Sequence, residues 1–107
     1  MDNDLVHYML IYNYCDDMAN KRIPLNKAHW TYQLKYRETG VLFEGGPFTD
    51  GTGAIFIVKH NKKDKTTHPE YIAKNDPFYL NNLITGYQIK EYNFTTLDML
   101  KSKIANC

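Results

Sequence analysis

Two segments of this chain lack a polar face. Leu5-Val6-His7-Tyr8-Met9-Leu10-Ile11-Tyr12 is β-branched, aromatic or aliphatic at every position but His7, and Ala54-Ile55-Phe56-Ile57-Val58 is apolar throughout. Both read as β-strands. A strand with one wet face alternates apolar and polar residues, because successive side chains point to opposite sides of the sheet. These two do not alternate. In the first, Val6, Tyr8, Leu10 and Tyr12 share one face, and Leu5, His7, Met9 and Ile11 share the other. A sheet built on such strands needs cover on both sides.

The segments between them set the order of elements. Asn13 to Arg22 is polar and turn-like. Pro24 suits the first helical position, where its missing N–H costs nothing, and the pattern predicts a helix from there to about Thr39, stopped by Gly40. Val41 to Glu44 is a second strand ending at Gly45-Gly46-Pro47, and Asp50-Gly51-Thr52-Gly53 is a turn before the third strand, Ala54 to Lys59. After a polar run, Thr67-His68-Pro69-Glu70 matches a capping box opening a short helix to about Asn75. Asp76-Pro77 starts a further turn or short helix, Tyr87 to Tyr92 is a fourth strand, and Thr96 to Ile104 has Leu97, Leu100 and Ile104 at helical spacing. The order is βαββαβ with a C-terminal tail from about residue 95. It predicts an α+β, ferredoxin-like fold: a four-stranded antiparallel sheet with the helices on one face. The second face then calls for another copy of the chain stacked sheet on sheet. The alternative, the tail folded back, offers one short helix to cover four strands.

Composition bounds the rest. A chain of 107 residues, 43% hydrophobic and 23% charged, is one globular domain spanning residues 1–107. A formal net charge of +1 supplies no field for nucleic acid or an acidic membrane surface. The longest apolar runs, Tyr8–Tyr12 and Ala54–Val58, are far too short to span a bilayer, and Met1-Asp2-Asn3-Asp4 has no basic or apolar signal region. Cys15 and Cys107 form no C-x-x-C pair, so free, non-catalytic thiols in the cytoplasm are expected.

His29 is the residue that most invites a chemical role. On a helical wheel Lys27, Thr31, Lys35 and Glu38 gather on one side, and His29 lies opposite them among Leu25, Tyr32, Gln33 and Tyr36. An imidazole on a covered face needs a partner for its N–H. A backbone carbonyl would serve as well as a catalytic acid, and the wheel alone favours that plainer role. Asp76 before Pro77 is by itself an ordinary helix start. Gly45-Gly46-Pro47 is either a permissive strand end or a wall where backbone can approach a small ligand. His7, His60 and His68 lack metal-ligand spacing, there is no G-x-S-x-G, and the glycines form no phosphate-binding fingerprint, so no metal or cofactor is expected. The run from Lys59 to Lys65 reads as a solvated loop. The aromatics, 14% of the chain, belong mostly to the core, with some free to line a cavity for a flat ligand.

In order along the chain, Tyr8-Met9-Leu10-Ile11-Tyr12, the helix carrying His29, Gly46-Pro47-Phe48 with Asp50-Gly51, Asp76-Pro77-Phe78 and Gly86-Tyr87-Gln88-Ile89 resemble the YciI-like (YCII-related) family. The resemblance implies a ferredoxin-like domain that dimerises into an α+β barrel. It also implies an active-site His–Asp dyad, mapping to His29 and Asp76; the substrate pocket expected beside it comprises Gly45, Gly46, Pro47, Phe48 and Phe78. The family often has an Arg three residues before the His; Asn26 stands there in this chain, against an anion-binding role at that position. A few relatives act on ring compounds by dehydrochlorination or lactone isomerisation. The expectation is a cofactor-independent lyase or isomerase that moves a proton on a small cyclic or conjugated substrate. His29 would act as base or acid, Asp76 would fix its tautomer, and backbone N–H groups near Gly45-Gly46 would hold a developing oxyanion. Two alternatives stay open: a non-catalytic dimeric module that binds a small apolar ligand, and an interaction protein whose polar pair ties the core together.

Overall fold

The computed structural model describes residues 4–107; Met1–Asn3, read above for targeting, lie outside it. The elements follow in the order β1 (Leu5–Tyr14), α1 (Met18–Lys21), a 3-10 turn (Ile23–Leu25), α2 (Asn26–Glu38), β2 (Leu42–Pro47), β3 (Gly53–Asn61), a second 3-10 turn (Lys65–Thr67), α3 (Pro69–Lys74), α4 (Pro77–Leu80), β4 (Ile84–Tyr92) and α5 (Leu97–Ala105). The four strands form one antiparallel sheet in the order β2-β3-β1-β4. The two strands without a polar face are therefore central neighbours, and this is the expected ferredoxin-like α+β arrangement.

Register sorts the faces. Leu10 pairs with Phe56, Tyr8 with Val58 and Tyr12 with Ala54, and this face lies under the helices. Leu10, Tyr12, Leu42, Phe56 and Val58 are buried there together with Tyr36 of α2, Ile72 of α3 and Phe78 of α4. Each fully buried large side chain of this kind contributes about 1.5–3 kcal/mol relative to exposure. On the opposite face Met9 pairs with Ile57 and Ile11 with Ile55, and all four are half-buried. Beyond them β4 sets Lys90 against Met9 and Gln88 against Ile11, so this face is apolar at its centre and polar along one edge.

Several boundaries differ from the sequence reading. Pro24 sits in a 3-10 turn, and α2 proper begins at Asn26. The polar stretch before it contains the short helix α1, and β1 runs on to Tyr14. The N-cap of α3 is His68, whose Nδ1 accepts the Glu70 N–H at 3.1 Å. Thr67 does not cap, because its buried hydroxyl is bonded to the carbonyls of Asn61 and Asp64 and to Nδ1 of His60 at 2.8 Å. The C-terminal helix does not fold back over the sheet. None of α5 is buried, and Leu97 and Ile104 are 68% and 69% exposed. Among the described residues no helix is long and apolar enough to cross a membrane.

Candidate active site

Helix α2 stacks His29, Gln33 and Arg37 one turn apart on a single face, since residues four apart are neighbours on a helix. Asp76 comes from the N-cap of α4. Its backbone is extended there, its side chain accepts the Phe78 N–H at 2.9 Å, and Pro77 follows at the first helical position. The cap thus aims a carboxylate at α2. His29 Nδ1 lies 2.8 Å from Asp76 Oδ1, and Tyr12 from β1 donates its hydroxyl to Asp76 Oδ2 at 3.0 Å. His29 and Asp76 are only 2% and 1% exposed. Beneath them the Phe78 ring stacks on the imidazole, with centroids 3.8 Å apart and planes 9° from parallel.

The carboxylate has only acceptors to offer, so the hydrogen on His29 belongs on Nδ1 and Nε2 carries the lone pair. That lone pair receives the Gln33 amide N–H at 2.6 Å, while Gln33 Oε1 faces Arg37 Nε and Nη2 at 3.4 and 3.3 Å. Arg37 Nη2 also donates to the Gly45 carbonyl at 3.2 Å. The chain of donors runs in one direction from Arg37 through Gln33 and His29 to Asp76. The second imidazole nitrogen is covered by Gln33. Among the described residues every buried side-chain nitrogen or oxygen has a partner. Burial, reinforced by the Asp76 charge, pushes the Tyr12 hydroxyl far above the usual phenol range. Burial also raises Tyr14, partly offset by the adjacent Arg22 guanidinium.

A pocket of about 300 Å³ opens beside this network, reached by His29, Gln33 and Arg37 from α2. Gly45, Gly46 and Pro47 of β2 form part of its wall. Phe48 does not: it packs by Gly53 and faces a separate hollow beside Ile55 and Ile57 on the far side of the sheet. Phe78 is fully buried and backs the imidazole rather than lining the opening. The atom Gly45 offers to Arg37 is its carbonyl, an acceptor and not an oxyanion donor.

Tyr12, Gln33, Arg22 and Arg37 were not marked as site residues in the sequence. Spacing could have found Gln33 and Arg37, which stand four and eight residues after His29 on the same helical face. Arg22 enters from before α2. Its Nε donates to Asn26 Oδ1 at 2.7 Å, and its guanidinium lies 5.0 Å from the Phe78 ring centroid and 5.8 Å from that of Tyr14. Asn26, in place of the family's Arg, thus holds a guanidinium supplied four residues earlier. His7, His60 and His68 stand apart from this site, and Cys15 and Cys107 are both free thiols.

A ferredoxin-like α+β domain with a His–Asp pair under a basic pocket defines the class. The chain belongs to the YCII-related domain family, whose model matches residues 6–93. Among solved structures it is similar to the 5-chloro-2-hydroxyhydroquinone dehydrochlorinase from Burkholderia phenoliruptrix, determined in complex with 2,5-dihydroxybenzoquinone. That likeness has a TM-score of 0.67 at 19% identity and covers 81% of this chain and 93% of the other. No curated protein sequence matches.

Proposed function

We propose that this chain is a cofactor-independent enzyme of the lyase or isomerase type, moving a proton on a small cyclic or conjugated substrate. The observation that carries this reading is the 2.8 Å contact between His29 Nδ1 and Asp76 Oδ1 at the base of a pocket. With Nδ1–H tied to the carboxylate, Nε2 is the basic atom. Substrate entering the pocket displaces the Gln33 amide, and Nε2 takes the proton. The electron pair left on the substrate then expels a leaving group, as in a lyase, or picks up the proton at another atom, as in an isomerase. Asp76 balances the imidazolium charge that forms. Its oxygens are already held by Tyr12 and the Phe78 N–H, so little reorganisation accompanies the transfer. The name of the structural neighbour, a dehydrochlorinase of a chlorinated hydroquinone, describes a lyase acting on a ring compound and supports the same class. The proposal includes a cytoplasmic homodimer, with the half-buried apolar centre of the outer sheet face as the contact.

One feature favours a second reading. Gln33 occupies the Nε2 lone pair, as it would in a module that binds a ligand without turning it over. A panel of lactones, enols and halogenated hydroquinones separates the two. The enzyme reading expects turnover of at least one class. His29→Gln and Asp76→Asn should each then lower the rate by roughly 10²–10⁴-fold, the usual contribution of general acid–base catalysis. Retained turnover in both variants would remove the dyad from the chemistry. Thermal shifts on ligand addition with no turnover would establish the second reading.

A further inference from the structure

We infer that the pocket selects a small planar anion, a conjugated ring compound bearing a carboxylate or enolate, through Arg22 and Arg37. The inference rests on this pocket being the substrate site of the proposed function. Both guanidiniums line the opening, and no acidic side chain lines it with them. Among the described residues neither is ion-paired with a carboxylate. Their hydrogen-bond partners are neutral: Asn26 Oδ1 and the Tyr14 hydroxyl for Arg22, and Gln33 Oε1 with the Gly45 carbonyl for Arg37. Asp76, the nearest acid in the network, is sealed below His29 with three donors on its two oxygens.

An arginine presents five N–H donors in a planar fork. Arg22 uses one N–H on Asn26 and one on Tyr14, and Arg37 uses its Nε–H and both Nη2 hydrogens, so each fork keeps free donors. Two such forks facing a cavity without a counter-charge are built to receive an anion, and a carboxylate or enolate matches the planar geometry. The remaining walls are apolar and aromatic. Trp30 and Leu34, 58% and 53% exposed, stand at the mouth on α2, and Phe56 and Pro47 close the β side. A volume of about 300 Å³ is at the low end for ligand pockets, which limits the occupant to about one ring with its substituents. An enolate held there would also have its developing charge met by guanidinium rather than by backbone N–H groups.

The test is binding, read apart from turnover. Isothermal titration of the wild-type protein with salicylate and with its neutral isostere salicylamide should show the acid bound at least tenfold more tightly. Arg22→Gln and Arg37→Gln should each reduce that preference severalfold, Arg22→Lys should restore part of it, and Lys101→Gln on the exposed α5 should leave it unchanged. Circular dichroism establishes that each variant is folded. His29→Gln should still prefer the acid, which keeps the inference separate from the catalytic reading. Equal binding of acid and amide, failure of both to bind at millimolar concentration, or an undiminished preference in the folded double variant Arg22→Gln/Arg37→Gln would overturn it. Anion preference without turnover of any substrate would sink the enzyme reading and leave this one standing.

Discussion

Asp76 serves three donors with two oxygens: the His29 ring, the Tyr12 hydroxyl and the Phe78 N–H that starts α4. Cap, core and candidate base therefore share one side chain. Tyr12→Phe removes one of these donors and leaves a buried carboxylate oxygen short of a partner. The expected loss is about 1–3 kcal/mol at neutral pH, measurable by urea unfolding. Tyr12 also dictates behaviour in alkali. Its folded pKa is raised, by burial first and by Asp76 second. Above about pH 10 the unfolded chain sheds this proton while the folded chain keeps it, so stability is complete below that pH and falls as pH rises further. The decline attributable to this group is about 1.4 kcal/mol per pH unit. The Phe variant should show a correspondingly shallower alkaline limb. An unchanged limb would mean that Tyr12 is hydrated in the native state.

Elements were legible where periodicity or turn chemistry is local, and obscure where a distant partner decides. The covered position of His29 followed from the wheel, because Lys27, Thr31, Lys35 and Glu38 mark the wet side of α2. The cap of α3 did not follow. Thr67 is a better capping residue in isolation, but its hydroxyl is taken by Asn61 and His60 across the β3 connection, and His68 inherits the role. Arg22 was obscure for a related reason: a polar residue outside a periodic element reveals its target only once the fold supplies one. β2 offers a sharper test. Gly45 has φ +139°, and a Cβ there would clash with the Ile55 carbonyl oxygen and sit 2.8 Å from Phe56 Cα on β3, both backbone atoms. Gly45→Ala must either strain this residue or push β2 away from β3. Such strain costs about 1–3 kcal/mol. The urea midpoint should drop accordingly, and Arg37 should lose its carbonyl anchor. Gly51, also at positive φ but with open space around its would-be Cβ, should lose less on the same substitution.

At the scale of the whole molecule the open question is what covers the second face of the sheet. The family match spans the βαββαβ unit and ends at residue 93, before α5 begins, and no residue of α5 is itself buried. Met9, Ile11, Ile55 and Ile57 form a half-buried apolar centre on this face, bordered by Gln88 and Lys90 on β4 and Glu44 on β2, with Phe94 of the tail stacked on His7 at one end. An apolar centre with a charged rim is the composition of a protein–protein contact. A second copy docked sheet to sheet would bring the two centres about 10 Å apart in the manner of stacked sheets. An obligate contact of this kind buries upward of about 2,000 Å² in total. Light scattering after size exclusion should therefore give about twice the 12.5 kDa chain mass. Ile57→Lys places an ammonium at the middle of that contact while leaving Leu10, Phe56 and Val58 on the inner face untouched. Taking this ammonium and its counterpart on the second copy out of water would cost several kcal/mol and weaken the contact. The variant should run as a folded monomer with its helix and strand content unchanged by circular dichroism. A wild-type protein that elutes as a clean monomer at micromolar concentration would rule out the dimer, and would mean that this apolar centre is tolerated in water.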